Sequence, residues 1–537
     1  MPKTELTIRK RAKHTRSNLG CGVCRIRRVR CDRTHPVCQR CSSTGRVCDG
    51  YPTQQPASTP SPQASNERIG HLIVRRAASL PLAPRINSSL QSSFPESLSD
   101  EETRAFHHFR QSTAADLAGE FATDFWGRLV LQVGHREPCV RHLTIAISSL
   151  HASLVNDGFA TSLYPILPAE DLRSRAVAQY TKALHLFNQH IVSKQGSSFD
   201  VTMLCSLLCM TFEWLRTNHN AALVHLRSIL RLVREWHETS TGSTGRITGN
   251  QTSYWSPSGH LIRSTLFPML RRTMMEVRSI VNNADDMVFP AIEPETSDPD
   301  TFSNVVEARD SLFVILGDLY DLFIQVGPAK PKIRPRQPPA QKSLTPQARW
   351  DLWSTRLKNF LAQDATQHSL AASLTLRIWQ KTTGVMLAVK DVQEEVVFDV
   401  FTDTFETIVD LSTQLYSLPR SGLSADMSIV AVLYFTATKC RHPIIRRRAL
   451  GLLTAAPRRE GIWQSEGAAK VATEIMEIEE GSVAGEVTKE TDLKESARVR
   501  QAVVDLGGED TTWTIGMVMS GGGMWHRGLH PPFGLQN

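Results

Sequence analysis

The chain has 537 residues, 41% of them apolar and 21% charged, with 61 lysines and arginines against 53 acids for a formal net charge of +8. That charge is concentrated: the first fifty residues hold 13 cations and three acids, +10, which leaves −2 for the other 487. This balance points to a polyanion partner at the N-terminus, and no apolar run approaches the roughly 18 residues of a membrane span.

Residues 1–20 are a basic arm, and Arg9–Arg16 (RKRAKHTR) has the composition of a nuclear-localisation patch or of a disordered arm adding phosphate contacts. No apolar stretch comes after it, so a secretory signal is not expected and the protein is read as intracellular. Disulfides are then not expected either, and clustered cysteines read as metal ligands.

Residues 21–50 carry such a cluster. Six of the ten cysteines fall here, at Cys21, Cys24, Cys31, Cys38, Cys41 and Cys48. The spacing is one unit repeated, Cys-x2-Cys-x6-Cys from 21 and again from 38. A Cys-x2-Cys pair suits tetrahedral zinc because both thiolates reach one ion from a single turn. Two zincs need eight ligand positions, which six cysteines fill if two of them bridge, one from each half. Unpaired core cysteines would not fall at two identical spacings. Two separate knuckles, or a four-cysteine ribbon with spares, are the other metal arrangements.

The two halves differ in charge. The first six-residue gap holds Arg25, Arg27, Arg28 and Arg30, whereas Ser42–Val47 holds only Arg46. Arginine pairs with phosphate, and its planar fork matches O6 and N7 of one guanine. The arginine-loaded half is therefore predicted to meet the anion.

Residues 21–51, CGVCRIRRVRCDRTHPVCQRCSSTGRVCDGY, resemble the binuclear zinc-cluster DNA-binding domain of fungal transcription factors. The cysteine spacing matches throughout, Asp32 follows the third cysteine, and Pro36 sits two residues before the fourth. The resemblance implies two zinc ions per chain, with Cys21 and Cys38 as the bridging ligands. It also implies a short helix in the major groove over a CGG-type triplet, with base contacts from Arg27 and Arg28 and phosphate contacts from Arg25 and Arg30. Arg28 stands where many members carry Lys. The implied setting is the nucleus and genes read by RNA polymerase II, with double-stranded DNA and transcriptional co-regulators as partners.

Residues 51–100 are rich in proline and serine and read as a disordered linker. No coiled-coil dimerisation element is evident there, so residues 1–100 are expected to be monomeric and to bind a single triplet. Ser99 with Glu102 has the spacing of a capping box and marks the start of the next domain.

From 101 to 480 the pattern is helical, about a dozen helices in one large all-α regulatory domain. Val140, Leu143, Ile147, Leu150 and Leu154 form one apolar stripe. Leu172, Ala176, Tyr180, Ala183, Phe187 and Ile191 form a second, and Leu223, Leu226, Leu230 and Val233 a third. Arg104–Leu154, Tyr180–Trp236 and Arg441–Trp463 are similar to the fungal-specific helical domain found behind such clusters. Cys205 and Cys209, four apart in an apolar helix, read as core, and His135, Cys139 and His142 as ordinary helix packing. Arg446–Arg448 with Arg458–Arg459 read as a solvated face, and Glu474–Glu480 as an acidic surface. Residues 481–537 read as a tail in which Trp513–Met519 has strand character.

The fold class expected is thus a small zinc-stabilised cluster and a large all-α domain joined by a disordered linker. No phosphate loop, nucleophile elbow or coupled acid pair is present, so the chain is not read as an enzyme. A helical enzyme or small-molecule binder merely targeted by the cluster, and a scaffold with a decayed DNA module, are the alternatives. The complete ligand set and the arginine-rich segment count against the second of these.

Overall fold

Ser99 starts the helix after the linker by the pairing its spacing predicts. The Glu102 N–H donates to Ser99 Oγ at 3.2 Å, and the Ser99 N–H donates to Glu102 Oε2 at 3.0 Å. Two orphan donors at the helix start are satisfied reciprocally. The protein, a computed structural model, is described at residues 21, 23–24, 29, 31–34, 37–45, 48, 98–121, 124–155, 168–192, 198–241, 257–280, 300–325, 344–363, 369–419, 421–505 and 513–529. The basic arm and nearly all of the linker lie outside these residues. The chain divides into two units, 1–87 and 88–537.

In the larger unit the helices are α1 (100–118), α2 (125–136), α3 (Pro138–Leu154), α4 (Ala169–Val192), α5 (Phe199–Leu215), α6 (His219–Thr241) and α7 (257–280). They continue with α8 (Val305–Gln325), α9 (Pro346–Ala362), α10 (Leu370–Val389), α11 (395–416), α12 (Val430–Lys439), α13 (Pro443–Ala455) and α14 (Ser465–Glu480). Neighbours in sequence pack on one another: α3 on α4 and α5, α5 on α6, α7 on α8, α8 on α9, and α12 on α13 and α14.

The stripe of α3 and that of α6 are buried along their whole length. The stripe on α4 is buried at Ala176, Tyr180 and Ala183 but runs out at Ile191, which is exposed. α3 and α5 are buried nearly all round, which is what an apolar interior helix requires. α3 nevertheless carries polar residues, and each has a partner. Thr144, Ser149 and Ser153 hydroxyls donate to carbonyls of their own helix, and Ser148 Oγ donates to the Ala105 carbonyl at 2.7 Å. Arg141 donates to the carbonyls of Gly134 and His135. Paired in this way, buried polar groups avoid a desolvation cost of about 1–3 kcal/mol each.

Two small sheets depart from the all-α expectation. Strand β1 (Leu423–Ser424) lies parallel to β2 (Arg459–Glu460), which turns back antiparallel into β3 (Trp463–Gln464). The turn needs Gly461. Its φ is +56°, and a Cβ there would run into the Glu276 carboxylate. The second sheet, β4 (Val499–Asp505), β5 (Trp513–Met519) and β6 (Met524–Leu529), is antiparallel in the order β4-β5-β6.

The stretch after 480 is therefore not a tail as far as Leu529. Val499, Ile515 and Met517 are buried against Val471 and Ile475 of α14. At about 1.5–3 kcal/mol per fully buried side chain, this contact is a substantial anchor.

Charged residues complete the anchoring and overturn two further expectations. Arg446 is fully buried and Arg458 and Arg459 nearly so; of the set read as a solvated face, Arg447 is exposed. Glu479, read as part of an acidic surface, is also fully buried. Glu479 pairs with Arg446 and, at 2.9 Å, with Arg441. It also accepts the Val499 N–H at 2.7 Å. Arg441 and Lys439 both reach Glu395, and Arg498 forks onto Asp399 at 2.6 and 2.7 Å. Burial raises the Glu479 carboxyl, but the Arg441 and Arg446 guanidiniums outweigh it and hold the group below its usual range. Helices α11–α14 and strand β4 are thus tied by buried ion pairs rather than by apolar contact alone.

Candidate metal centre

The smaller unit is organised around its cysteines, and its two halves are built alike. In the first, Val23 and Cys24 begin a helical turn, and the Cys24 N–H donates to Cys21 Sγ at 3.4 Å. In the second, Cys38 is the N-cap of the helix Gln39–Ser42, and the Cys41 N–H donates to Cys38 Sγ at 3.3 Å. Each repeat places its first sulfur at a helix start, where N–H groups favour a negative acceptor.

Asp32 joins the two halves. Its carboxylate accepts the N–H of Gln39 at 2.9 Å and of Arg40 at 3.2 Å, and the Thr34 hydroxyl donates to it at 2.6 Å. The Thr34 bond first, and the backbone bonds after it, hold the Asp32 carboxyl well below its usual range. The loop between the halves is thereby fastened to the start of the second helix, with Arg33 in the left-handed region at φ +62°. The role of Thr34 is not apparent from cysteine spacing. The signal available for it was a hydroxyl two residues after an aspartate in a loop, a combination that favours local side-chain bonding.

Cys21, Cys24, Cys38 and Cys41 are fully buried, and Cys31 and Cys48 half-buried. Two sets of four sulfurs each lie within 4.8 Å of one another: Cys21, Cys24, Cys31 and Cys38, and Cys21, Cys38, Cys41 and Cys48. Cys21 and Cys38 belong to both. The sulfur separations are 3.7 Å for Cys21–Cys38, 3.7 Å for Cys24–Cys38 and 3.8 Å for Cys21–Cys41. Tetrahedral zinc with bonds of about 2.3 Å places its sulfurs about 3.8 Å apart. The cysteines fit two tetrahedral zincs that share two ligands.

Burial pushes the Cys21, Cys24, Cys38 and Cys41 thiols up from their ordinary values. A bound dication reverses this preference, since a thiol coordinated to it is deprotonated outright. Six sulfurs packed so closely, with Val23 the one aliphatic side chain against them among the described residues, need that charge to hold them.

The arginines singled out for DNA, Arg25, Arg27, Arg28 and Arg30, lie outside the described residues. Of the cations that are described in this unit, Arg33 and Arg40 are exposed. In the larger unit, His135, Cys139 and His142 do not converge on a metal. Cys139 meets Cys205, and His142 Nδ1 bonds Gln179 Oε1 at 2.7 Å. No helix among the described residues is long and apolar enough to cross a membrane.

Residues 19–58 match the fungal Zn(2)-Cys(6) binuclear cluster domain. Along most of its length the chain is similar to the Aspercryptin biosynthesis cluster-specific transcription regulator atnN of Emericella nidulans, 22% identical over 87% of this chain and 88% of that protein. It is 26% identical to the transcription regulator lscL of Purpureocillium lilacinum, over 40% of this chain and 49% of that protein. It is 31% identical to the Zn(2)-C6 fungal-type transcription factor afumD of Aspergillus fumigatus, over 42% of this chain and 54% of that protein. No solved structure matches the chain. The N-terminal unit is a DNA-binding domain of transcription regulators, and its cofactor is two zinc ions.

Proposed function

We propose that this fungal zinc-cluster transcription factor acts in the nucleus as a sequence-specific regulator of RNA polymerase II genes, reading CGG-type triplets through the major groove. The observation that carries the reading is the pair of four-sulfur sets sharing Cys21 and Cys38. In this reading Cys21 and Cys38 bridge two zincs, and the first Cys-x2-Cys turn presents the arginine-loaded gap to DNA. Arg27 and Arg28 contact base edges, while Arg25 and Arg30 neutralise phosphates. The basic arm 1–20 adds phosphate contacts and nuclear targeting. Residues 101–480, together with the C-terminal sheet, form a regulatory unit that meets co-regulator proteins and performs no catalysis.

The likeness to a regulator named for a biosynthesis cluster supports a target set of that kind: genes of a biosynthetic cluster. In vitro selection of duplex DNA by the zinc-loaded full chain tests the reading. A CGG-type triplet in the selected pool supports it, and a pool with no shared sequence rejects it. One triplet per site, rather than a spaced pair, is expected because the linker carries no heptad repeat.

A further inference from the structure

Four cysteines lie outside the metal centre, and two of them meet. Cys139 Sγ and Cys205 Sγ are 3.5 Å apart in the interior of the larger unit, where α3 packs on α5. Both are free thiols. Their surroundings differ. Cys139 is the second residue of α3, directly after Pro138, where unpaired N–H groups favour a negative sulfur. The hydrogen bond from Cys205, helped by the Val140 N–H, holds the Cys139 thiol below its ordinary value against the effect of burial. Cys205 sits in the middle of the apolar helix α5, and its bond to Cys139 together with burial pushes it well above. Cys205 donates and Cys139 accepts, so Cys139 is the more readily ionised sulfur of the two.

Both sulfurs are buried, Cys139 at 2% and Cys205 at 0% exposure, and they differ in the chain that leads to them. Cys139 is preceded by Glu137 and Pro138, both half-exposed, whereas the residues on either side of Cys205 are buried. The remaining two thiols have the character of plain core sulfur: burial pushes Cys209 up to about 12 and Cys440 up to about 11.

We propose that Cys139 and Cys205 form a peroxide-driven, reversible disulfide site, with Cys139 as the attacking sulfur and Cys205 as the resolving one. The Cys139 thiolate attacks one oxygen of hydrogen peroxide and the O–O bond breaks. The departing hydroxide takes a proton and leaves as water, and Cys139 becomes a sulfenic acid. The Cys205 sulfur then attacks Cys139 Sγ, the S–O bond breaks, and the Cys205 proton leaves with the hydroxide as a second water. Two electrons pass from the sulfurs to the peroxide, so two thiols and one peroxide give one disulfide and two waters. The sulfurs must close by about 1.5 Å to reach the bonded distance of about 2.05 Å. The bond ties together helices whose cysteines are 66 residues apart in the chain. It leaves the six sulfurs committed to zinc untouched.

The zinc-loaded full chain, treated with graded hydrogen peroxide and digested without reduction, tests this by mass-spectrometric disulfide mapping. The Cys139–Cys205 peptide is expected at doses that release no zinc. It should form about tenfold faster than Cys209 or Cys440 is oxidised, in keeping with thiolate-controlled reactivity, and dithiothreitol should remove it. Cys205→Ser should leave Cys139 as a sulfenic acid trapped by dimedone, and Cys139→Ser should leave Cys205 unoxidised. Should either serine upset the core, mapping of the unsubstituted chain decides alone. The proposal is overturned if the disulfide is absent at doses that already strip zinc, or if Cys139→Ser leaves Cys205 oxidised at the unchanged rate.

Discussion

The two units bury ionisable groups by opposite means. In the cluster, sulfurs that burial alone would keep protonated are made thiolates by zinc, a charge that comes from solution and can be withdrawn. In the helical unit, Glu479, a carboxylate that burial would also keep protonated, is held below its usual range by Arg441 and Arg446 of the chain. The first arrangement makes folding depend on the metal, and the second makes it depend on pH and on complete sets of partners. A chelator and a substitution should therefore separate the two units.

The largest effect expected is from zinc removal. A chelator should abolish sequence-specific DNA binding and unfold the N-terminal unit, because a domain this small has little core without its ions. The thermal transition of the helical unit should not move. Elemental analysis of the untreated chain should give two zincs. One zinc, or a shared transition for both units, would break the contrast.

Next comes Arg446→Ala, which leaves Glu479 short of a partner at a fully buried site. Removing one member of a buried pair costs about 3–5 kcal/mol, and chemical denaturation should report a loss of that size. Zinc content should be unchanged. A loss below about 1 kcal/mol, the level of a surface pair, would mean that the Glu479 site is solvated.

The DNA contacts should divide as well. Arg28→Ala should cost about 1–3 kcal/mol and relax base preference, whereas Arg25→Ala should weaken all sequences alike and lower the salt dependence of binding. Equal, sequence-blind losses at both positions would rule out base reading by Arg28.

The smallest effect is a pH signature. The Glu479 carboxyl lies below its usual value in the folded state, so its stabilisation is complete above the unfolded value of about 4.3 and is lost as pH falls through the folded one. The stability gap between the unsubstituted chain and Glu479→Gln should be constant near neutrality and narrow as pH drops below about 4. A gap that widens on acidification would reverse the assigned direction.

The legible parts of the protein share one property: their determinants are close together in the chain. The cysteine spacing marks the six sulfurs as one group, and they lie together in two sets of four. The capping box at Ser99 and the stripes of α3 and α6 were equally readable, since hydrogen-bonding partners or packing neighbours lie three or four residues apart. On α4 the stripe overran the packed surface, because periodicity says which residues share a face and not how much of that face a neighbour covers.

Charge was the feature most misread. Arg446, Arg458 and Glu479 look solvent-facing in any local window, as charged residues usually are. Their partners arrive from other helices: Glu479 of α14 neutralises Arg446 of α13, and Arg441 between α12 and α13 reaches Glu395 at the start of α11. The stretch after 480 was misread for the same reason. β4 and β5 pair across the intervening residues 506–512, and the sheet they form packs on α14.

Spacing was enough to point to a metal centre at the six cysteines, because a metal collects its ligands from a segment as short as 28 residues. It was enough, too, to specify that most of the chain between residues 101 and 480 would be helix. Which charges are buried, which sulfurs touch and where the C-terminal strands dock emerged when distant helices came together. Each of these contacts joins groups that no local rule relates, and its energy depends on how completely the surrounding elements exclude water.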